Sequence, residues 1–324
     1  MGVLTEDLIQ SIINRTLLPV SAKTFDNDQI LEMASEELST RMVPMLLSTR
    51  ENFFLKYVRQ SVVAGKARYT IPSRAIGVAL KDFWFIDQNG YRMNFIPQTD
   101  TRRLGDFTFQ QGNPIQFMLE GDEVLMLPTP NRSVGSLEMW YFRRPSALIV
   151  TTSCAKVTGF TVGLSTVVFD VDTDLTESLP AGSLVDLQSA VSPYLTWADD
   201  VEIVAITAST IEVAKTNLID EAGNFEVQIG DYICPAGFSC IPTIPLELHS
   251  VLAQSTACAI LQSLSHIDKL QIASARLDQM IEATSKLIAN RVEAQLQVIR
   301  QQNGISSAAE GGVFWGNGNS WWGS

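Results

Sequence analysis

The sequence predicts an α+β protein. N- and C-terminal helices form a helical bundle, an antiparallel β-meander lies between them, and a second β-module is inserted after the meander. Three observations lead there. Apolar residues recur at helical spacing at both ends of the chain, they alternate with period two through the middle, and charge is divided unevenly between the regions. The strongest helical stretch spans residues 245–302. Pro245 suits a first turn, where its missing N–H would have no helical partner, and Glu247 places negative charge at the positive end of the helix dipole. Ser265-His266-Ile267-Asp268 reads as a short break. Beyond it Leu270, Ala273, Leu277, Met280, Thr284 and Leu287 recur in alternating steps of three and four, a seam that faces another helix.

In chain order, residues 4–18 carry Leu8, Ile9, Ile12 and Ile13 at the spacing of one helix. Phe25-Asp26-Asn27-Asp28 supplies caps for a second, whose buried stripe is Ile30, Leu31, Ala34, Leu38 and Met42. Pro44 kinks or breaks it. A third helical piece continues through Leu46, Phe53, Phe54 and Val58, with Gly65 as its end. From Tyr69 the period changes to two. Strands are predicted at 69–72, 78–87, 91–96, 114–119, 124–127 and 137–142, with a tight turn at Asn89-Gly90 and a polar loop over 98–113. A second set follows at 157–160, 167–171, 184–187, 201–206, 211–214 and 232–234. The chain thus divides into N-terminal helices at 1–64, a β-domain at 65–150, an inserted β-module at 151–243, C-terminal helices at 244–303 and a tail at 304–324.

Of 324 residues, 46% are hydrophobic, enough to bury a real core, and no window reaches the ~18–20 apolar residues of a membrane span. The opening residues carry no secretory pattern, and Glu6 stands where a myristoylation site wants Ser or Thr. The net charge of −12 is concentrated in 151–243, which holds 13 carboxylates against Lys156 and Lys215. That argues for a separately organised module and against a grip on nucleic acid, which needs clustered Lys and Arg. Cys154, Cys234, Cys240 and Cys258 form no C-x-x-C pair and read as free thiols in a reducing compartment.

Catalytic, cofactor and metal sites are not expected. Asp170-Val171-Asp172-Thr173-Asp174 spaces three carboxylates as a calcium loop would, but Leu175 and Ala181 stand where that loop needs Gly and Glu, so the run reads as an acidic strand face. His249 and His266 accompany no nucleophile motif. The doublets Arg102-Arg103 and Arg143-Arg144 read as solvated ends or as partners of a neighbouring acidic surface rather than as phosphate contacts. The tail carries the strongest functional signal. Six glycines and three of the six tryptophans lie in it, and Phe314, Trp315, Trp321 and Trp322 are expected to anchor it on a partner chain.

Several stretches resemble one family. Gly65-Lys66-Ala67-Arg68-Tyr69-Thr70-Ile71-Pro72, Tyr141-Phe142-Arg143-Arg144-Pro145 and Ile244-Pro245-Leu246-Glu247-Leu248-His249, with helices at both ends and an aromatic tail, are similar to the head-to-tail adaptor (connector) proteins of short-tailed bacteriophages. The likeness covers 25–150 and 243–300; the module at 151–243 departs from the smallest members. It implies a structural virion protein, made in the host bacterial cytoplasm. It implies a homo-oligomeric ring, usually of twelve subunits, whose helical bodies pack side by side. Leu270, Leu277, Met280 and Leu287 are the positions assigned to that packing. The tail would dock on the portal protein, the β-regions would meet the tail nozzle or fibres, and DNA would pass through without sequence-specific binding. Two other classes remain open: a virion tail enzyme acting on cell-wall glycan through two carboxylates of the acidic module, and a glycan- or ligand-binding β-module on a helical stalk.

Overall fold

The computed structural model describes residues 4–16, 25–94, 96–97, 111–215, 218 and 227–289. Helices α1 (Thr5–Thr16), α2 (Asn27–Glu37) and α3 (Val43–Thr49) precede the first strand, and α4 (Leu246–Ser263) and α5 (Ile267–Ile288) follow the last. Asp26 starts α2 with a full capping box. Its carboxylate accepts from the Gln29 N–H at 2.8 Å, and the Gln29 side chain accepts from the Asp26 N–H at 3.1 Å. Pro44 cannot donate a helical hydrogen bond, and the chain answers with a widened π-turn at Leu38–Met42, where the Val43 N–H bonds Leu38 O. The helical path continues across the turn into α3.

Helix α4 lies at the centre of the helical region. It is buried nearly all round, as a helix flanked on several sides must be. Leu8 and Ile12 of α1, Leu31 of α2, Leu252 and Ile260 of α4, and Leu277 of α5 share one core. The polar groups on α4 are paired. Gln254 accepts from Arg15 at 2.8 Å and donates to Ala273 O at 3.1 Å, and Ser255 donates to Glu37. The break between α4 and α5 falls where Ser265 adopts a positive φ of 57°.

The third helical piece predicted through Val58 is corrected. Helix α3 stops at Thr49, and β1 (Leu55–Ser61) begins six residues later. Its register with β10 (Ser136–Phe142) runs the whole length, from Leu55 opposite Phe142 to Ser61 opposite Ser136. Long-range pairing overrides the local helical reading. The remaining strands of this region are β2 (Arg68–Thr70), β3 (Asp82–Ile86), β4 (Arg92–Asn94), β5 (Ile96–Pro97), β6 (Gln111–Gly112), β7 (Gln116–Glu120), β8 (Glu123–Leu127) and β9 (Thr129–Pro130). They do not form the simple meander expected. One sheet has the order β1-β10-β3-β4, a second β2-β8-β7-β5, and β5 lies parallel to β7. Tyr69 and Met126 from the second sheet meet Phe83, Leu137 and Met139 from the first in a shared core. The strand expected over 78–87 is shorter, because a 3-10 turn at Ile76–Val78 precedes it. The Asn89-Gly90 turn is present: Gly90 has φ 81°, and Asp87 accepts from the Asn89 and Tyr91 N–H groups at 2.8 and 2.9 Å.

All six strands predicted for the acidic module are found. After β11 (Ala147–Leu148), strands β12 (Ala155–Val162), β13 (Thr166–Val171), β14 (Leu184–Gln188), β15 (Thr196–Ile206), β16 (Thr210–Ala214) and β17 (Tyr232–Pro235) close into a barrel in the order β12-β13-β16-β15-β14-β17. Its interior holds Val157, Val167, Phe169, Leu187 and Val213, each fully buried. The chain leaves through β18 (Phe238–Ser239), which pairs in parallel with β11. The strands that enter and leave the barrel therefore lie side by side, as an inserted module requires.

Gly135 precedes β10 with φ 85°, and a Cβ there would meet Ile86 O at 2.4 Å and the Phe85 ring at 2.8 Å. Gly135→Ala is expected to destabilise the protein by about 1–3 kcal/mol, from a strained φ and a backbone clash. Urea unfolding measures this; an unchanged midpoint would mean that the β3–β10 contact yields.

Candidate functional site

The groups that could perform chemistry are largely engaged in structure. His249 is 2% exposed; its Nε2 lies 3.2 Å from Ile244 O and its ring packs 5.5 Å from that of Tyr194. Burial holds its pKa below the ordinary histidine value, so it is neutral near pH 7. His266 is exposed at the start of α5. In the acidic run, Asp172 accepts from the Lys156 N–H at 2.8 Å, and Asp174 accepts from Thr176 N–H at 3.0 Å and its hydroxyl at 2.7 Å. The first contact ties the end of β13 to β12 and the second shapes a turn. A groove of about 680 Å³ between α1, α4 and α5 is lined by Asp7, Ser11, Arg15, Gln254, Lys269 and Arg276, a mixed-charge surface in which the Ser11 hydroxyl accepts from Arg15 Nε at 3.3 Å and has no histidine beside it.

The concentrated chemistry lies between the two-sheet region and the barrel. Three cations come from separate segments of the former: Lys56 on β1, Arg74 after β2, and Arg143 just after β10. Three carboxylates face them from the barrel: Asp186 on β14 and Asp199 and Asp200 on β15. Arg143 Nη2 is 2.6 Å from Asp199 Oδ1 and 3.5 Å from Asp186 Oδ2, and it also donates to Ser146 Oγ at 3.0 Å. Arg74 Nη2 is 2.7 Å from Asp200 Oδ1 and 3.1 Å from Asp186 Oδ1. Lys56 Nζ is 2.9 Å from Asp199 Oδ2 and 2.7 Å from Thr196 O. Asp186, fully buried, also accepts the Asp200 and Gly237 N–H groups, each at 3.0 Å.

This geometry separates the two most buried acids. Burial pushes the Asp199 carboxyl up, but the Lys56 and Arg143 charges outweigh it and hold its pKa below the usual value. Burial, reinforced by the Asp199 charge, leaves Asp186 above it. Burial likewise pushes the Tyr141 phenol up to about 12. Outside the junction, the buried carboxylate of Glu138 on β10 is held by Arg59 at 2.6 Å, Arg92 at 2.8 Å and the Trp140 N–H at 2.7 Å.

The predicted residues are distributed as follows. Of the two alternatives read for its doublet, Arg143 takes the acidic surface, whereas the Arg144 side chain is exposed and solvated. Leu277 is buried, Leu270 and Met280 are half-buried against the helical core of the same chain, and Leu287 is 59% exposed. The drift arises because Ile288, rather than Leu287, continues the buried stripe, as a period of 3.6 residues per turn dictates over this length. Phe314, Trp315, Trp321 and Trp322 lie outside the described residues, as do Arg102 and Arg103. The sequence reading missed Lys56, Arg74, Asp186, Asp199 and Asp200 as one cluster. The available signal was the regional charge imbalance together with Asp199-Asp200.

Asp199→Asn is expected to cost about 3–5 kcal/mol, the cost of breaking a buried ion pair from one side. The depressed pKa of Asp199 sets the sign with pH. Its contribution is present above the unfolded value of ~3.9 and is lost as pH falls through the lower folded value. Asp186 acts oppositely, since protonation relieves a buried charge. Denaturant midpoints from pH 5 to pH 2 should therefore fall less steeply in Asp199→Asn than in wild type; parallel curves would mean that Asp199 carries no depressed pKa.

No helix among the described residues is long and apolar enough to cross a membrane. A comparison with curated proteins gave no match. The sequence model of the SU10 adaptor protein family matches residues 6–175, from α1 through both sheets to the strands β12 and β13 of the barrel. The match takes in more than half of the chain and all three cations of the charged junction, and by it the chain belongs to the SU10 adaptor protein family, as a phage structural adaptor.

Proposed function

We propose that this adaptor assembles as a ring, of twelve subunits by the likeness to connectors, which joins the portal of the phage head to the tail and lets DNA pass through. The observation that carries the ring is the surface of α5. One face packs on the chain's own core, yet Ile272 is 75% and Leu287 59% exposed. The two are about 60° apart around the helix at 3.6 residues per turn, so they share one side. A neighbouring subunit packed along α5 would cover both, and apolar side chains aligned on one helix face favour such a partner. The assigned packing positions Leu270, Leu277 and Met280 would then act indirectly, by fixing α5 on its own subunit, with Leu287 in the contact itself.

Phe314, Trp315, Trp321 and Trp322 supply large apolar anchors beyond the end of α5, and portal docking is assigned to them. The tail nozzle or fibres are the partners assigned to the β-regions. If the acidic module faces the channel, its charge favours free passage of DNA, since an acidic surface repels phosphate; facing outward, it serves solubility or fibre attachment instead. The reading as a tail enzyme is disfavoured by the state of the acidic module. Asp186 and Asp199, its most deeply buried junction acids, lie against Arg and Lys side chains rather than across an open cleft.

Native mass spectrometry and negative-stain imaging of the purified chain, with and without the portal, test this. Wild type should form rings, alone or on the portal. Ile272→Asp with Leu287→Asp should prevent them without loss of secondary structure, because both positions are exposed in the single chain. Removing residues 304–324 should abolish portal docking and leave the fold intact. A wild-type monomer indifferent to the portal, or normal docking by the truncated chain, would overturn the corresponding part.

A further inference from the structure

Three of the four cysteines converge where the barrel joins the helices. Cys154 immediately precedes β12, Cys234 lies in β17, and Cys240 follows β18. Their sulfurs all lie within 4.8 Å of one another, and those of Cys234 and Cys240 are 3.9 Å apart. All three are free thiols, and none is more than 1% exposed. Buried Tyr194, Tyr232 and Ile241 pack with them, and Leu4, Ile149 and Ala190 adjoin from outside.

We propose that Cys154, Cys234 and Cys240 form a thiolate site for a thiophilic metal ion, zinc first, at the neck of the inserted barrel. The spacing is the first argument. Two thiolates at ~2.3 Å from a tetrahedral zinc ion stand about 3.8 Å apart, whereas a disulfide brings its sulfurs to about 2.05 Å. The Cys234 and Cys240 sulfurs, 3.9 Å apart in an S–H···S contact, stand near the former distance and far from the latter. The ligand type is the second. Three sulfurs without a carboxylate or imidazole among the ligands suit zinc or another soft ion and exclude calcium and magnesium, which take oxygen. Three cysteines leave one tetrahedral position for a small exogenous ligand.

Placement gives the site a role. Cys154 belongs to the segment entering the barrel, Cys234 to its last strand β17, and Cys240 to the segment leaving it. The Cys240 carbonyl accepts the Thr5 N–H at 3.0 Å, at the first residue of α1. Thr5 also donates through its hydroxyl to Ile149 O at 2.8 Å. An ion held here ties both strands of the neck together beside the start of the helical region. Nothing in the linear order announces it, because the spacing 154, 234, 240 matches no metal motif and the histidines needed for a mixed site are elsewhere.

The test is elemental analysis of the full chain purified under reducing conditions, before and after incubation with zinc and removal of excess. About one tightly held zinc per chain is expected. Cys234→Ser and Cys240→Ser should each weaken retention by about tenfold or more, while Cys258→Ser, in α4 and outside the cluster, should retain zinc as wild type does. Cobalt substitution of wild type removes dependence on variant folding, since a thiolate-to-cobalt charge-transfer band should appear. Absence of both retained zinc and that band, retention unchanged in Cys240→Ser, or an intact mass showing loss of two hydrogens to a Cys234–Cys240 disulfide in the reduced preparation would each overturn the proposal.

Discussion

The architecture depends on a set of partly and fully buried charges at one junction. A barrel inserted into another domain hangs from two strands, here β11 and β18, and two adjacent strands alone form a hinge. Lys56, Arg74 and Arg143 come from three points of the two-sheet region that are well separated in sequence, and they meet Asp186, Asp199 and Asp200 from two neighbouring strands of the barrel. Contacts at several points fix an orientation that one contact would not. Desolvating these groups is unfavourable, and their mutual attraction with the added backbone hydrogen bonds to Asp186 offsets it. The same pairing accounts for part of the regional charge imbalance: some of the acidic excess of the barrel is directed inward, towards basic side chains of the preceding region.

The helical region meets a different requirement. Helix α4 follows the barrel directly and is buried on nearly every side, so the end of the inserted module is anchored in the main hydrophobic core. Leu148, at the other strand of the neck, belongs to that core as well, and its N–H is bonded by Ser35 Oγ of α2 at 2.8 Å. The barrel is therefore held by apolar packing at its neck and by ion pairs at its side. The module is thus fixed at two places rather than free to swing about its neck.

Much of this was legible in the sequence where signals are local. The six barrel strands were found because period-two alternation is bounded by Gly, Pro and Asp turns, and the α4–α5 break because Ser265-His266 interrupts the apolar spacing. Reading failed where partners are distant. Residues 50–61 carry Phe53, Phe54 and Val58 at a spacing tolerable for a helix, and only the strand β10, about eighty residues away, makes 55–61 a strand. The exchange of strands between the two sheets is invisible locally for the same reason. The junction could be anticipated as a pairing of Arg143 with an acidic surface, but not residue by residue, because Lys56 and Arg74 stand alone in the chain. The cysteine cluster gave no signal, since 80 residues separate Cys154 from Cys234.

The most direct test of the junction is a double-mutant cycle between Arg143→Met and Asp199→Asn, read by equilibrium unfolding of the full chain. If these side chains act as one unit, the double variant should be more stable than the sum of the single losses implies, with a coupling of about 1–3 kcal/mol. Additive losses, within about 0.5 kcal/mol, would show that the two charges act independently and would contradict the account of the junction as one coupled unit.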